Sequence, residues 1–176
     1  VLNLAMYRRN ICDVDELVIP MLGDMVSGDI HEELSRSNID NCMIQMLSAS
    51  HLIAQALMYL APNFKSVRIP CVVGNHGRMT KKPPMKDKYM DWDYLTYQWI
   101  AAFCKNQSNI TFTIPKSFAQ IIKVGGRKIL LFHGDSISGG GSSQSIHKMV
   151  GAMRGVTQFR QALEAAVLEH DGTLTD

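Results

Sequence analysis

Two short apolar, β-branched runs each end at a glycine, residues 16–22 before Gly23 and residues 67–73 before Gly74, and a stretch of helical period separates them. That alternation restricts the chain to an α/β design, because each run has the length and composition of one buried strand. Pro20 falls inside the first run and predicts an irregular end to its strand. Between the runs, residues 38–60 carry Ile39, Met43, Met46, Leu47, Ile53, Leu57 and Met58 largely on one helical face. Ser37 with Asp40 predicts a capping box at the start of this helix, and Pro62 stops it. A polar, basic loop over residues 78–90 follows the second strand. Asp91 is then predicted to cap a helix whose buried stripe is Trp92, Leu95, Trp99 and Phe103.

Beyond that helix the period changes. Residues 110–114 alternate as a short strand, and residues 118–124 and 128–132 read as a hairpin turning at Gly125-Gly126. A Gly/Ser loop is predicted at 138–145, with Gly139-Gly140-Gly141-Ser142-Ser143 read as a flexible connection rather than a phosphate cradle. Two helices are predicted to close the chain. One covers about 144–153; the other starts near 158, with Phe159, Leu163, Ala166 and Val167 at helical spacing and Gly172 as its stop. The sum is one domain over residues 1–176 built on a mixed α/β sheet.

Composition narrows the classes that remain. A hydrophobic fraction of 46% and a charged fraction of 19% belong to a globular chain with a sizeable core. The net charge of +2 neither demands nor excludes a nucleic-acid partner. No apolar run approaches the roughly 18 residues needed to cross a bilayer, so no membrane association is expected. Arg8 and Arg9 follow rather than precede the first apolar stretch, the wrong order for a signal peptide. The four cysteines, Cys12, Cys42, Cys71 and Cys104, are scattered within element-like segments. They read as buried free thiols, which implies a reducing, cytoplasmic setting.

Three motifs carry the chemistry, each following an apolar strand: Gly23-Asp24, Gly74-Asn75-His76-Gly77 and His133-Gly134-Asp135. Taken singly, each is ordinary turn or strand-end chemistry. Taken together and in this order, they deliver a carboxylate, an amide oxygen and imidazoles to one edge of the sheet, where open α/β sheets place their sites. A mixed O/N donor set suits manganese, iron or zinc better than calcium. No P-loop and no nucleophile elbow is present to suggest a covalent route. Asp29 and Asp135 are candidates to orient ligands, or else solvated turn residues.

The three motifs resemble, in order, the second, third and fourth blocks of the calcineurin-like metallophosphoesterases, whose five blocks are D-x-H, G-D, G-N-H-D/E, H and G-H-x-H. The resemblance spans residues 23–135 and implies a mixed β-sheet sandwich flanked by helices, here incomplete. It implies that Asp24 bridges two metal ions, that Asn75 and His133 bind the second, and that His76 contacts the phosphate or protonates the leaving group. Two divalent ions are implied for the complete domain, manganese foremost with iron or zinc as alternatives, and one or none for this chain alone. No histidine precedes His31 and no G-H-x-H follows His133, so the chain is expected to be a fragment of a longer protein. Gly77 and Arg78 stand where the family has its acidic residue.

The basic loop starts directly after Asn75-His76, and Arg78, Lys81 and Lys82 are the expected substrate contacts. Its position favours a phosphodiester substrate, DNA or RNA, bound in a salt-dependent way; the other reading is a solvated charged loop. Trp92 and Trp99 are expected in the core before any role in base stacking. The expected function is therefore a metal-dependent phosphodiesterase or nuclease. The alternatives are a phosphomonoesterase acting on small molecules or phosphoproteins, and a degenerate nucleic-acid-binding module.

Overall fold

The computed structural model of the chain describes residues 2–12, 14–81 and 89–135. Lys82, the Gly/Ser loop predicted at 138–145 and the two helices predicted after it lie outside these residues. In chain order the elements are α1 (Leu2–Ile11), β1 (Glu16–Val18), α2 (Glu32–Ser37), α3 (Cys42–Leu60), a 3-10 turn (Ala61–Asn63), β2 (Ser66–Pro70), α4 (Trp92–Phe103), β3 (Ile110–Thr113), β4 (Ala119–Val124) and β5 (Arg127–Phe132). Strands β1, β2 and β3 form a parallel sheet in that order, and β4 pairs with β5 as an antiparallel hairpin. The molecule is thus a mixed α/β structure, as the alternating pattern implied.

Strand β2 sits in the centre and separates two cores. Val67, Ile69 and Cys71 point to one face, where they pack with Leu57 and Ala54 of α3 and with Tyr97 and Ile100 of α4. Val72 points to the other face and meets Ile122 and Leu131 of the hairpin, as the two-residue side-chain period of a strand requires. The helices and the hairpin therefore cover opposite faces. Full burial of side chains such as Val67, Ile69, Leu57 and Ile100 stabilises the fold by about 1.5–3 kcal/mol each before entropy is counted. Gln120 Nε2 also donates to the Cys71 carbonyl at 2.6 Å, tying the hairpin to the central strand.

Several local expectations hold. The first strand does end irregularly: regular pairing stops at Val18, Pro20 has no N–H to give, and Met21 rejoins as an isolated parallel bridge to Cys71. Gly125 and Gly126 both have positive φ, 54° and 76°, the requirement of a tight two-residue hairpin turn. Asp91 caps α4 by accepting from Asp93 N at 2.8 Å.

Others are corrected. The predicted capping box does not form; Asn41 caps α3 by accepting from Ile44 N at 3.1 Å, and Ile39 is fully exposed in the link before it. The buried face of α3 is Cys42, Met46, Ser50, Ala54, Leu57 and Leu60, so Met43 and Leu47 lie outside it. The stripe predicted for α4 is likewise displaced. Leu95, Trp99 and Phe103 are exposed and Trp92 is half-buried, whereas Asp93, Thr96, Tyr97 and Ile100 face the core. Cys12 is exposed, unlike the three buried thiols. By length and composition alone, the segment Cys42–Asn63, with a mean hydropathy of 1.2, is apolar enough to cross a membrane. In the fold its buried face packs against β2 and α4.

Candidate metal centre

The site lies where the loops after β1 and β2 touch. Gly23 turns the first loop with φ 90°, and Asp24 follows with φ 54°, a left-handed conformation that costs a non-glycine residue about 1–2 kcal/mol. The loops approach so closely that a Cβ on Gly74 would lie 2.2 Å from Asp24 Oδ1 and 2.5 Å from Asp24 N. Glycine at 74 is therefore a matter of space rather than of backbone angle. The contact lets Asp24 Oδ1 accept from the backbone N–H groups of Asn75 and His76, both at 3.0 Å.

The other carboxylate oxygen, Asp24 Oδ2, faces inward. His133 Nε2 lies 3.2 Å from it and His76 Nε2 3.9 Å. His133 Nε2 is also 2.9 Å from Asn75 Oδ1. Both imidazoles are oriented through their other nitrogen. His133 Nδ1 donates to the Leu22 carbonyl at 2.7 Å, and His76 Nδ1 donates to the Ser27 carbonyl at 2.9 Å. A carbonyl only accepts, so Nδ1 carries the proton in each ring and the neutral ring presents Nε2 as a lone pair. Asp24 Oδ2, Asn75 Oδ1 and His133 Nε2 are then acceptors crowded together. Such a cluster offers three acceptor atoms to a divalent ion.

The donor set fits an ion. Neighbouring donors on an ion with bonds of ~2.1 Å stand about 3 Å apart, and the observed separations are 2.9 and 3.2 Å. A carbonyl holding the remote nitrogen of each histidine is the usual outer support of a metal ligand. The side chains of Asp24 and His133 remain 32% and 18% exposed, so the site is open to solute. Among the described residues no three His, Cys, Asp or Glu side chains form a ready cage; this set depends on the amide oxygen of Asn75 as its third member.

Sequence reasoning brought these residues together but missed what holds them. Asp93 of α4 is fully buried. Its Oδ2 accepts from Asp24 N and Gly74 N, and its Oδ1 from Met25 N, all at 2.8 Å. Burial pushes its pKa up, against the pull of the three N–H groups. Asp91 is pushed up to about 7 by burial and by the nearby Asp93 charge, and its Oδ2 is buried with no hydrogen-bond partner. Tyr97, one turn beyond Asp93, accepts from Gly23 N and donates to the Val72 carbonyl, both at 3.0 Å. An acid on the apolar face of a helix was the available signal, since Asp93 shares a face with Tyr97 and Ile100.

The remaining candidates lie nearby or elsewhere. Arg78 Nε donates to the Asn75 carbonyl at 2.8 Å, which places this cation beside the ligand loop. Lys81 is exposed at the last described position before residue 89. Asp29 is hydrogen-bonded to the Cys42 thiol, which burial and then this carboxylate push up to about 12. Asp135 is exposed. His31, which the motif reading did not use, packs against His76 with ring centroids 5.0 Å apart and ring planes tilted by 50°. Comparison with protein-family models, with curated proteins and with solved structures returns no match.

Proposed function

We propose that the chain carries the ion-holding centre of a calcineurin-like metallophosphoesterase, a metal-dependent phosphodiesterase or nuclease. One observation carries this reading. Three strand ends far apart in sequence bring His133 Nε2 to 2.9 Å from Asn75 Oδ1 and 3.2 Å from Asp24 Oδ2, with the ring held by its Nδ1 so that Nε2 is the nitrogen offered for ligation. On this reading the parallel sheet and the hairpin are inner parts of that family's mixed β-sandwich. Asp24, Asn75 and His133 would hold manganese, iron or zinc. A divalent ion supplies Lewis acidity toward a phosphate ester and activates water.

The chain's own residues do the rest. Asp24 fixes the spacing of the two loops through Oδ1 while Oδ2 stays turned to the site. His76 is held at Nδ1 by the Ser27 carbonyl, so Nε2 faces the same space; in the imidazolium form, with a proton on each nitrogen, Nε2 donates to a phosphoryl oxygen or gives its proton to the leaving group. Arg78 adds positive charge beside Asn75, and with Lys81 favours a phosphodiester chain over a neutral substrate. The test is manganese-dependent hydrolysis of bis(p-nitrophenyl) phosphate together with manganese titration of the 176-residue chain. His133→Ala is expected to weaken manganese binding at least ~10-fold. Equal binding by the variant and the parent chain would end the metal reading. It would leave the nucleic-acid-binding alternative, which predicts salt-sensitive binding without metal.

A further inference from the structure

Helix α4 reaches the site with a carboxylate where a core helix would carry an apolar side chain. A buried carboxylate costs several kcal/mol unless its oxygens are satisfied, and capping does not require this one, because Asp91 already caps α4. The oxygens of Asp93 are spent instead on backbone N–H groups of the two loops that carry Asp24 and Asn75. One atom, Oδ2, receives Asp24 N and Gly74 N at 2.8 Å each, so it sets the distance between the loops. The other, Oδ1, receives Met25 N at 2.8 Å. The successive N–H groups of Asp24 and Met25 are thereby gripped as a fork, which fixes the peptide between them and holds Asp24 at φ 54° with its side chain toward His133. One turn on, the Tyr97 hydroxyl joins the same loops one residue earlier in the first and two residues earlier in the second, through Gly23 N and the Val72 carbonyl.

We propose that Asp93, seconded by Tyr97, is the positioning residue of this centre: it sets the separation and aim of the donors Asp24 and Asn75 without touching the ion. The inference rests on the metal reading above. Its negative charge, one hydrogen bond behind Asp24, also strengthens the site's attraction for a cation. A brace that only stabilised the fold would lower resistance to denaturation and leave the folded site's coordination unchanged. A positioning residue alters coordination in protein that is still folded.

The test uses the 176-residue chain, Mn²⁺ affinity by titration of the free-ion EPR signal, and the visible ligand-field spectrum of the Co²⁺-loaded protein. Far-UV circular dichroism verifies folding. Parent chain and His133→Ala are measured first, and equal Mn²⁺ binding in the two would mean that the metal reading itself has failed. Where they differ, Asp93→Asn, folded, is expected to bind Mn²⁺ about 10-fold or more weakly and to shift the Co²⁺ spectrum, in line with losses of ligand support elsewhere. A folded Asp93→Asn with the parent's affinity and spectrum overturns the proposal. If Asp93→Asn does not fold, Tyr97→Phe decides by the same readouts. A shifted spectrum with about threefold weaker binding, the scale of one lost neutral hydrogen bond, supports the proposal, and parent values overturn it.

Discussion

Replacing Gly74 by alanine tests whether the two loops are as tightly apposed as the site requires. The backbone at 74 is in a region open to any residue, so the cost comes from space alone. The new Cβ would start 2.2 Å from Asp24 Oδ1, 2.5 Å from Asp24 N and 3.0 Å from Asp24 Cγ. Ordinary contact needs roughly 3.5 Å, so one loop must retreat by about 1 Å, and backbone and a fixed carboxylate are what stand in the way. Overpacking of this kind costs about 1–3 kcal/mol. The retreat also stretches the Gly74 N and Asn75 N bonds to carboxylates, at 2.8 and 3.0 Å, each worth about 1.5–3 kcal/mol when lost outright. A loss of about 2.5–6 kcal/mol follows if one such bond goes. Gly125→Ala is the control, because it has φ 54° but nothing within 4 Å of its Cβ, and its cost is the left-handed backbone alone, about 1–2 kcal/mol. Urea unfolding followed by tryptophan fluorescence reads both variants. With a slope of about 1–3 kcal/mol/M, Gly74→Ala should lower the midpoint by more than about 1 M, and by more than the control does. A Gly74→Ala midpoint equal to or above that of Gly125→Ala would refute the close approach.

Two further outcomes are expected. Asp91 binds its proton more tightly folded than unfolded, with a value of about 7, so its contribution to stability is fully present below about pH 4 and is lost as pH rises to 7. That contribution is at most about 4 kcal/mol from roughly three pH units. Asp91→Asn should flatten the fall in stability between pH 4 and 7, and an unchanged slope would show that another group titrates. Removing the α3 cap with Asn41→Ala should cost about 1 kcal/mol in the same urea assay, and no change would mean that the bond to Ile44 N contributes nothing.

The two predicted helix faces slipped for different physical reasons. In α3, periodicity placed Met46 and Leu57 on the buried face but added the exposed Met43 and Leu47, whereas the buried positions are Cys42, Met46, Ser50, Ala54, Leu57 and Leu60. The helix is apolar around most of its circumference, so the pattern does not say which side meets the sheet. Small residues such as Ser50 and Ala54 permit the close approach to α4, and hydroxyl contact with the Thr96 carbonyl at 3.5 Å satisfies the buried serine. In α4, the aromatic rings of Trp99 and Phe103 drew the stripe outward. They pack on each other with centroids 5.8 Å apart, while the polar Asp93 and Tyr97 face inward.

What the sequence determined by itself is local: where the first two strands begin, though they end at Val18 and Pro70 rather than at Gly23 and Gly74, where the hairpin reverses, that Asp91 caps a helix, and which donors follow the strands. Those features follow from side-chain period and backbone conformational preference, which act over a few residues. The tertiary structure alone decided that the buried Asp93 carboxylate clasps Asp24 N from 69 residues away and that the Leu22 carbonyl orients His133 across 111 residues. It also decided that the hairpin and the helices cover opposite faces of β2. Such partners are set by what each buried polar group can reach once the chain has closed. An unpaired donor or acceptor costs more there than any local preference supplies.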